Sequence, residues 1–308
     1  MSILITGGTG SLGSFLAREM VKRNYQDIIL FDYNPDYERI SDILNKVKVA
    51  AGNITDWTDV VSVMKEHGVR EVFHLAALLS TEIKEKPFSG FKVNVEGTVN
   101  ILEASRILGV KKLIFVSSIS TFGPGLPEPV KETYRQQPTN LYGITKLVGE
   151  LWCLYYWQEY NIDTRILRFP RIVNPGRRGK GVALFPSLMI EKAAIGEYYE
   201  IEVSEEYKVP IIYIKDAVDV LISLYETRQI KSRVYNINGL LPTAKEILET
   251  VKKYVPGARL KFSKKPIVPH LTIPLRYDDS KAKNELGWRI GYTLDKMIED
   301  FINEVQQR

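Results

Sequence analysis

One segment of the chain carries residues whose types and spacing suit proton transfer. Tyr142 and Lys146 are four positions apart, so on a helix they lie on the same face, one turn from each other. A nearby ammonium group lowers the pKa of a phenol from about 10 and makes it a better proton acceptor. Ser118 follows an apolar strand pattern and could fix the same substrate oxygen. We therefore predict that Ser118, Tyr142 and Lys146 are catalytic residues that take a proton from a hydroxyl group.

A second segment, near the N-terminus, suits a dinucleotide. Gly7, Gly10 and Gly13 recur at every third position between an apolar strand pattern and a helical one. Such a turn lets a pyrophosphate approach the N-terminus of the helix. Asp32 ends the next predicted strand, where a carboxylate accepts hydrogen bonds from ribose hydroxyls and repels a 2′-phosphate. We therefore expect the cofactor to be NAD rather than NADP, with Asn53 and Ile54 flanking its adenine.

The elements that position these residues alternate along the first half of the chain. Apolar runs separated by amphipathic stretches are typical of βαβ units with a buried parallel sheet. The predicted strands are Ile3–Thr6, Ile28–Asp32, Val47–Ala50, Glu71–Ala77, Lys112–Ser117 and Thr164–Phe169. The predicted helices are Ser11–Arg23, Thr58–His67, Ser89–Leu108 and Leu141–Tyr160. The fold class is therefore α/β, a Rossmann-like doubly wound parallel sheet with its ligand at the carboxyl ends of the strands.

The pattern becomes irregular after residue 170, where prolines and glycines are frequent. We expect an NAD-binding domain over residues 1–169, with returns of the chain near 211–238. Residues 170–210 and 239–308 would then form a smaller C-terminal substrate-binding domain. In the second half of the chain, the predicted strands are Pro210–Ile214 and Val234–Asn238. The predicted helices are Asp216–Tyr225, Ala244–Tyr254 and Leu294–Val305.

Composition excludes several classes of function. The 308 residues carry a net charge of +5 with both signs interspersed, so nucleic-acid binding is not expected. No apolar run approaches the roughly 20 residues that span a bilayer, and no leader pattern precedes the first strand. We therefore expect a cytoplasmic protein that does not bind membranes and acts on a small-molecule substrate. The single cysteine and the scattered histidines do not have metal-ligand spacing, so no metal site is expected.

Several motifs together resemble those of the extended short-chain dehydrogenase/reductase family, and the resemblance covers almost the whole chain. The motifs are Thr6–Gly13, His74–Ala77, Asn94–Thr98, Ser117–Ser118, Tyr142–Lys146 and Leu167–Pro170. The resemblance implies NAD binding, a Ser-Tyr-Lys triad and a homodimer built on two long helices. It also implies cofactor contacts at Ser11, Leu12, Leu75, Ala76, Ala77, Asn94 and Phe169, besides the residues named above. The aromatic side chains at 152, 155, 156 and 157 of the predicted helix agree with a dimer contact.

Within that family the motifs are similar to those of the threonine dehydrogenase branch. His74–Ser80 and Val209–Ile214 carry this similarity. The chain departs from the branch at Arg171, where the branch has glycine, and this change adds bulk and a bidentate anion donor. We take Ser80, Ser118 and Arg171 as candidate substrate contacts.

Three functions remain open from the sequence. The first is an NAD-dependent dehydrogenase that oxidises a small secondary alcohol and is related to threonine dehydrogenase. The second is a nucleotide-sugar 4-epimerase or dehydratase, which reoxidises its NAD within one turnover and would bind the diphosphate with Arg171, Arg177, Arg178 and Lys180. The third is a non-catalytic NAD-binding regulator on the same fold. Release of NADH distinguishes the first from the second.

Overall fold

The computed structural model describes residues 2–177, 184–267 and 273–307 of the chain. These residues form eleven strands, all in parallel sheets: β1 (Ser2–Thr6), β2 (Ile28–Asp32), β3 (Lys48–Ala51), β4 (Val69–His74), β5 (Lys112–Ser118), β6 (Asp163–Phe169), β7 (Arg171–Val173), β8 (Tyr199–Ile201), β9 (Ile211–Tyr213), β10 (Val234–Asn236) and β11 (Leu260–Phe262).

The same residues form eleven α-helices, which flank the sheets or cover the smaller part of the molecule. They are α1 (Ser11–Lys22), α2 (Trp57–Glu66), α3 (Ser80–Glu85), α4 (Pro87–Phe91), α5 (Gly97–Leu108), α6 (Leu141–Tyr160), α7 (Phe185–Ala194), α8 (Ile214–Glu226), α9 (Ala244–Tyr254), α10 (Ser280–Glu285) and α11 (Leu294–Gln306). Within the described ranges, no helix has the length and apolar content needed to cross a membrane.

The seven-stranded central sheet confirms the predicted doubly wound topology. Its order is β10-β6-β5-β4-β1-β2-β3, and every neighbouring pair is parallel. The strand order changes direction between β1 and β4, which are parallel neighbours with Thr6 in register with His74. The loops that follow these two strands therefore diverge and leave a crevice at the carboxyl edge of the sheet.

The central sheet has an apolar layer on each face. One layer joins α1 and α8 to the sheet through residues such as Leu16 and Leu221, and the other joins α2, α5 and α6 through residues such as Val60 and Cys153. Because both faces are covered, the strands are apolar along most of their length. This burial fixes the strand ends that carry the candidate site.

A second apolar cluster holds the smaller part of the molecule together. The pairs β7–β9 and β8–β11 pack there with α7, α9 and α11. The 211–238 segment contributes to the central sheet, since α8 packs on it and β10 joins it. The segment 239–308 also contributes to the central sheet's core, because Ala282 of α10 and Trp288 pack there beneath α8. The assignment of 170–210 and 239–308 to one substrate-binding domain remains a prediction.

The predicted helix at 89–108 is different in the structure. Pro87 begins the short helix α4, and a π-helical turn over Lys92–Glu96 separates α4 from α5. In that turn the Asn94 side chain binds both the N–H and the carbonyl oxygen of Leu78, at 2.8 and 3.0 Å. The wider turn thus ties the helix to the loop that follows β4.

Candidate active site

A cleft of about 1580 Å³ lies at the carboxyl edge of the central sheet. The loops after β1, β2, β4 and β5 line it, together with the start of α6 and with residues from β7 and the 207–210 segment. Residues of both parts of the molecule therefore meet in one cavity. Such a position, at the topological switch point of a doubly wound sheet, is where ligands bind in this architecture.

The glycine-rich turn has the geometry of a pyrophosphate site. Gly7 has a φ of +64°, in the left-handed region that favours glycine, and a Cβ on Gly13 would overlap the Gly7 carbonyl oxygen. Gly10, which is the N-cap of α1, makes no side-chain cap, so the first N–H groups of the helix remain available. The hydroxyl oxygen of Ser11 is buried and has no hydrogen-bond partner among the described residues. A dinucleotide phosphate fits these unused donors.

The adenosine end of the cleft is formed by Asp32 and the loop after β3. The Oδ2 atom of Asp32 accepts hydrogen bonds from the N–H and the hydroxyl of Thr9, at 3.1 and 2.8 Å. Its Oδ1 atom takes no hydrogen bond from the described residues, which fits a ribose hydroxyl donor. Asn53 and Ile54 line the cleft there, and the Asn53 N–H donates to the carboxylate of Asp59 at 2.9 Å.

A buried neutral histidine organises the loop that carries Leu75, Ala76 and Ala77. The Nδ1 atom of His74 lies 2.7 Å from the Thr6 hydroxyl, which also accepts from the N–H groups of Leu75 and Ala76 at 3.1 Å each. Burial lowers the pKa of His74 to about 3, with a smaller contribution from the charge of Lys146. The imidazole is therefore uncharged and serves to hold β1 and β4 in register.

Ser118, Tyr142 and Lys146 converge on the cleft from β5 and α6. The side chain of Asn140 caps α6 by accepting from the Gly143 N–H at 2.8 Å, which places Tyr142 on the first turn. The Lys146 Nζ atom donates to the Val116 carbonyl oxygen at 2.8 Å and lies 5.8 Å from the centre of the Tyr142 ring. The structure thus brings the three predicted catalytic residues together in one cavity.

The electrostatics of the phenol differ from the expectation that Lys146 lowers its pKa. Burial raises the pKa of Tyr142 to about 12, while the charge of Arg177 and a hydrogen bond with Ser118 oppose that rise. Burial also lowers the pKa of Lys146 to about 8. The reason is geometric, since the Lys146 ammonium faces the Val116 carbonyl and the Phe115 ring rather than the phenol.

A buried ion pair beneath these residues was missed by sequence reasoning. The Nη2 atom of Arg168 donates to Glu150 Oε2 at 2.6 Å, and the Ser117 hydroxyl donates to Glu150 Oε1 at 2.5 Å. Glu150 lies one helical turn after Lys146, and Ser117 precedes Ser118. The pair therefore fixes β5, β6 and α6 against one another at the height of the cleft.

The predicted substrate residues lie at the other end of the cleft. Ser80 lines it from the first turn of α3 and Arg171 from β7, and Phe169, a predicted cofactor contact, lines the cleft from the end of β6. The guanidinium of Arg177 lines it too and donates to the Ile172 carbonyl oxygen at 2.9 Å. Arg178 and Lys180, which the sequence grouped with Arg177, lie outside the described residues.

One predicted cofactor residue does not line the cleft, and several others were missed. Asn94 is buried behind the loop after β4, where it binds Leu78 as described above and also Thr145, at 3.1 Å. Arg39 lines the adenosine end and reaches the Gly176 carbonyl oxygen at 3.2 Å. Tyr207 and Lys208 line the substrate end. No sequence motif marks Arg39, Tyr207 or Lys208. The 207–210 segment reaches the cleft only because β7 pairs with β9.

A model of the NAD-dependent epimerase/dehydratase family matches residues 3–238. The chain belongs to this family. L-threonine 3-dehydrogenase of Bos taurus mitochondria is 28% identical over 98% of the chain and 82% of that relative. Among solved structures, a GalE-like L-threonine dehydrogenase from Cupriavidus necator in its holo form has a TM-score of 0.87 at 28% identity, covering 99% of the chain and 100% of its own. A UDP-glucose 4-epimerase from Thermotoga maritima has a TM-score of 0.89 at 25% identity, covering 100% and 99%.

These findings confirm the resemblance to the extended short-chain dehydrogenase/reductases and the Rossmann-like fold. The protein is an enzyme whose cofactor is NAD, and it is threonine dehydrogenase-like in sequence and in fold. A non-catalytic regulator is therefore no longer supported. The choice between net oxidation and epimerisation depends on the substrate end of the cleft.

Proposed function

We propose that this enzyme is an NAD-dependent oxidoreductase that oxidises a small secondary alcohol with Ser118, Tyr142 and Lys146. The observation that carries the proposal is the convergence of these side chains with the glycine-rich turn in one cleft. The cofactor contacts predicted from the sequence belong to the same proposal, with Asn94 acting through the loop that it supports. The substrate-binding role of 170–210 and 239–308 also belongs to it, since Arg171, Tyr207 and Lys208 line that cleft.

The roles of the residues follow from their positions. NAD, when bound, supplies the hydride acceptor. The Ser118 hydroxyl holds the substrate oxygen, and Tyr142 takes its proton as the carbinol carbon loses hydride. Because burial raises the pKa of Tyr142 to about 12, the phenol is protonated at neutral pH in the cofactor-free cleft. Nearby positive charge must favour the phenolate. Arg177 supplies it in this structure, and the Lys146 ammonium, 5.8 Å from the centre of the Tyr142 ring, would supply more if it turned from the Val116 carbonyl to the phenol.

Replacing Tyr142 with phenylalanine tests the mechanism. We expect Tyr142→Phe to lower the rate of NADH formation by about 100- to 10,000-fold, because general-base catalysis is lost, while NAD affinity remains unchanged. NADH is followed by its ultraviolet absorbance and NAD affinity by calorimetry. Tyr198→Phe is the matched control, since Tyr198 is 51% exposed and does not line the cleft. Full activity of Tyr142→Phe would refute the assignment.

Nucleotide-sugar 4-epimerisation is the second candidate. The similarity to the Thermotoga maritima UDP-glucose 4-epimerase and the cations at the substrate end favour it. Incubation with UDP-glucose and analysis of the products by chromatography separates the two candidates. An epimerase converts UDP-glucose to UDP-galactose without accumulating NADH, whereas a dehydrogenase accumulates NADH with its alcohol.

We also propose that two copies of the chain associate through α4 and α6. Phe88 and Phe91 of α4 are 70% and 52% exposed, and Leu151 and Tyr155 of α6 are 57% and 46% exposed. Apolar area of this kind on adjacent helices is typical of a protein contact. Light scattering should give twice the chain mass for the wild type and the chain mass for Leu151→Lys. The control Ile195→Lys, at a position that is 49% exposed on another face, should keep the wild-type mass.

A further inference from the structure

The substrate end of the cleft contains two guanidinium groups that have no anionic partner within the part of the chain that the structure describes. The Nη1 atom of Arg171 is buried and has no hydrogen-bond partner among the described residues. Among the described residues, Arg177 donates only to neutral oxygens, those of the Ile172 carbonyl at 2.9 Å and the Asn174 side chain at 3.5 Å. In the described ranges, no carboxylate lies within ion-pair distance of either guanidinium. An uncompensated buried charge is unfavourable, so this pair is arranged for an anion that comes from outside the chain.

The local backbone fixes the position of both groups. The N–H of Arg171 donates to the Pro210 carbonyl oxygen at 3.2 Å, and β7 pairs with β9 from this residue onward. Burial lowers the pKa of Arg177, and the charge of Arg171 lowers it further, while the phenol of Tyr142 raises it. Arg177 thus interacts electrostatically both with Arg171 and with the candidate base. An anion held by the two arginines would lie near the reacting hydroxyl.

We infer that the substrate is a hydroxy acid whose carboxylate is held by Arg171 and Arg177, an inference that rests on the proposed oxidoreductase function. Guanidinium groups bind carboxylates through paired, charge-assisted hydrogen bonds. In the reaction, the carbinol C–H bond breaks and its electron pair passes as hydride to NAD. The hydroxyl proton passes to Tyr142, and the carbinol carbon becomes a carbonyl carbon. The carboxylate is unchanged, so the products are a keto acid, NADH and a proton.

The charges that line the cleft argue against an amino acid. An α-ammonium group would need a carboxylate beside the two arginines. The described carboxylates that line the cleft are Asp32, Asp36 and Glu38 at the adenosine end, and two on α3. The 207–210 segment instead adds the cation of Lys208. Of the two on α3, Glu82 accepts a hydrogen bond from the Leu79 N–H at 2.9 Å. An ammonium group beside Arg171 and Lys208 would therefore lie among positive charges.

The position of Arg177 argues against a nucleotide sugar. In a UDP-hexose the diphosphate is attached to C1, and the pyranose ring separates it from the hydroxyl at C4. Arg177 and Tyr142 line the same cleft, and the charge of Arg177 opposes the rise in the pKa of Tyr142, the group that must contact the reacting hydroxyl. A carboxylate one or two carbons from the carbinol carbon fits that proximity better than a diphosphate does.

The first test compares an acidic alcohol, 3-hydroxybutyrate, with a neutral one, 2-butanol. For Arg171→Met we expect KM with the acidic alcohol to rise by about 10- to 100-fold, because hydrogen bonds to a charged group are lost. With the neutral alcohol, the loss in kcat/KM should be much smaller than with the acidic one, since that alcohol has no anionic group. Lys22→Met is the control that removes a surface cation, because the Lys22 side chain is 78% exposed. Equal losses with both alcohols would overturn the inference.

The second test measures binding without turnover. Calorimetric titration of malonate into the full-length enzyme with NAD should show binding to the wild type and to Lys22→Met but not to Arg171→Met. No binding to the wild type, or preferred oxidation of L-threonine, would overturn the inference and leave the oxidoreductase function intact. Arg171-dependent malonate binding without NADH from any alcohol would instead refute the oxidoreductase function and leave the anion site. Circular dichroism verifies that each variant is folded.

Discussion

Removing the charge of Glu150 should destabilise this fold far more than removing an exposed carboxylate. The side chains of Arg168 and Glu150 are only 4% and 2% exposed. Four donors converge on the carboxylate, namely Arg168 Nε at 2.9 Å and Nη2 at 2.6 Å, the Ser117 hydroxyl at 2.5 Å and Gln136 Nε2 at 3.0 Å. In Glu150→Gln, the amide NH2 group is itself a donor and faces these donors. The buried guanidinium of Arg168 then no longer has a negatively charged partner.

The expected loss follows from burial. Breaking a buried pair by removing one member costs about 3–5 kcal/mol. With an unfolding entropy of about 2.1 cal/mol/K per residue, a chain of this length loses roughly 1.5 °C in Tm per kcal/mol, so Tm should fall by about 5–8 °C. The matched control is Asp295→Asn. Asp295 pairs with Lys253 at the same 2.6 Å, but the side chains of Lys253 and Asp295 are 61% and 46% exposed. Its loss should be much smaller, because solvent screens an exposed ion pair.

Calorimetry and urea unfolding followed by tryptophan fluorescence measure both losses. The wild type, Glu150→Gln and Asp295→Asn are compared at the same pH and without NAD, so that ligand binding does not contribute. The double variant Glu150→Leu with Arg168→Met should recover much of the stability, because both charges are then absent. If Glu150→Gln and Asp295→Asn lower Tm equally, the reasoning from burial is refuted.

Two further predictions concern the cofactor turn and the buried histidine. Gly13→Ala should weaken NAD binding at least about tenfold in calorimetry, because its Cβ overlaps the Gly7 carbonyl oxygen, whereas Gly257→Ala has no atom within 4 Å and should bind as the wild type does. Burial holds the pKa of His74 near 3, below about 6.5 in the unfolded chain, so only the unfolded state takes up a proton as pH falls below 6.5. The free energy of unfolding should therefore fall by about 1.4 kcal/mol per pH unit between pH 6 and 4 through this group. Denaturant titrations should show a flatter slope for His74→Gln but not for His67→Gln.

The elements that sequence predicted best have strong local signals. The bounds of α6 and α9 match the predicted bounds, and each helix begins after a side-chain cap, at Asn140 and Thr243. The bounds of β2 also match, because an apolar run ends there at Asp32. By contrast, β7, β8 and β11 have three residues each and were not predicted. β9 and β10 are equally short, but β9 lies within the apolar run Pro210–Ile214 and both were predicted. Around β7, β8 and β11 no apolar run of greater length marks a strand, so only tertiary packing specifies them.

The same contrast between local sequence signals and tertiary packing applies to the residues of the candidate site. Sequence reasoning found the glycine turn, Asp32 and the Tyr142–Lys146 pair, because in each case the functional residues have a fixed spacing within one local element. The topology of the sheet then brings these elements to one edge. The placement of Asn94 was not foreseeable, because a π-helical turn changes which face of the helix that residue occupies. The proximity of Arg177 to Tyr142 depends on a loop whose position is set by contacts with residues far away in sequence, such as the bond between Arg39 and Gly176.

The distribution of charge connects the departure at Arg171 with the chemistry at Tyr142. In the described residues Arg177 is the cation whose charge lowers the pKa of Tyr142, while the ammonium of Lys146 is turned to the Val116 carbonyl. An anion bound between Arg171 and Arg177 neutralises part of that charge and therefore reduces its help to the phenolate. Binding the substrate would then shift the task of stabilising the phenolate to Lys146 and the cofactor. The arginine at 171 thus changes how the base is tuned as well as what the cleft can hold.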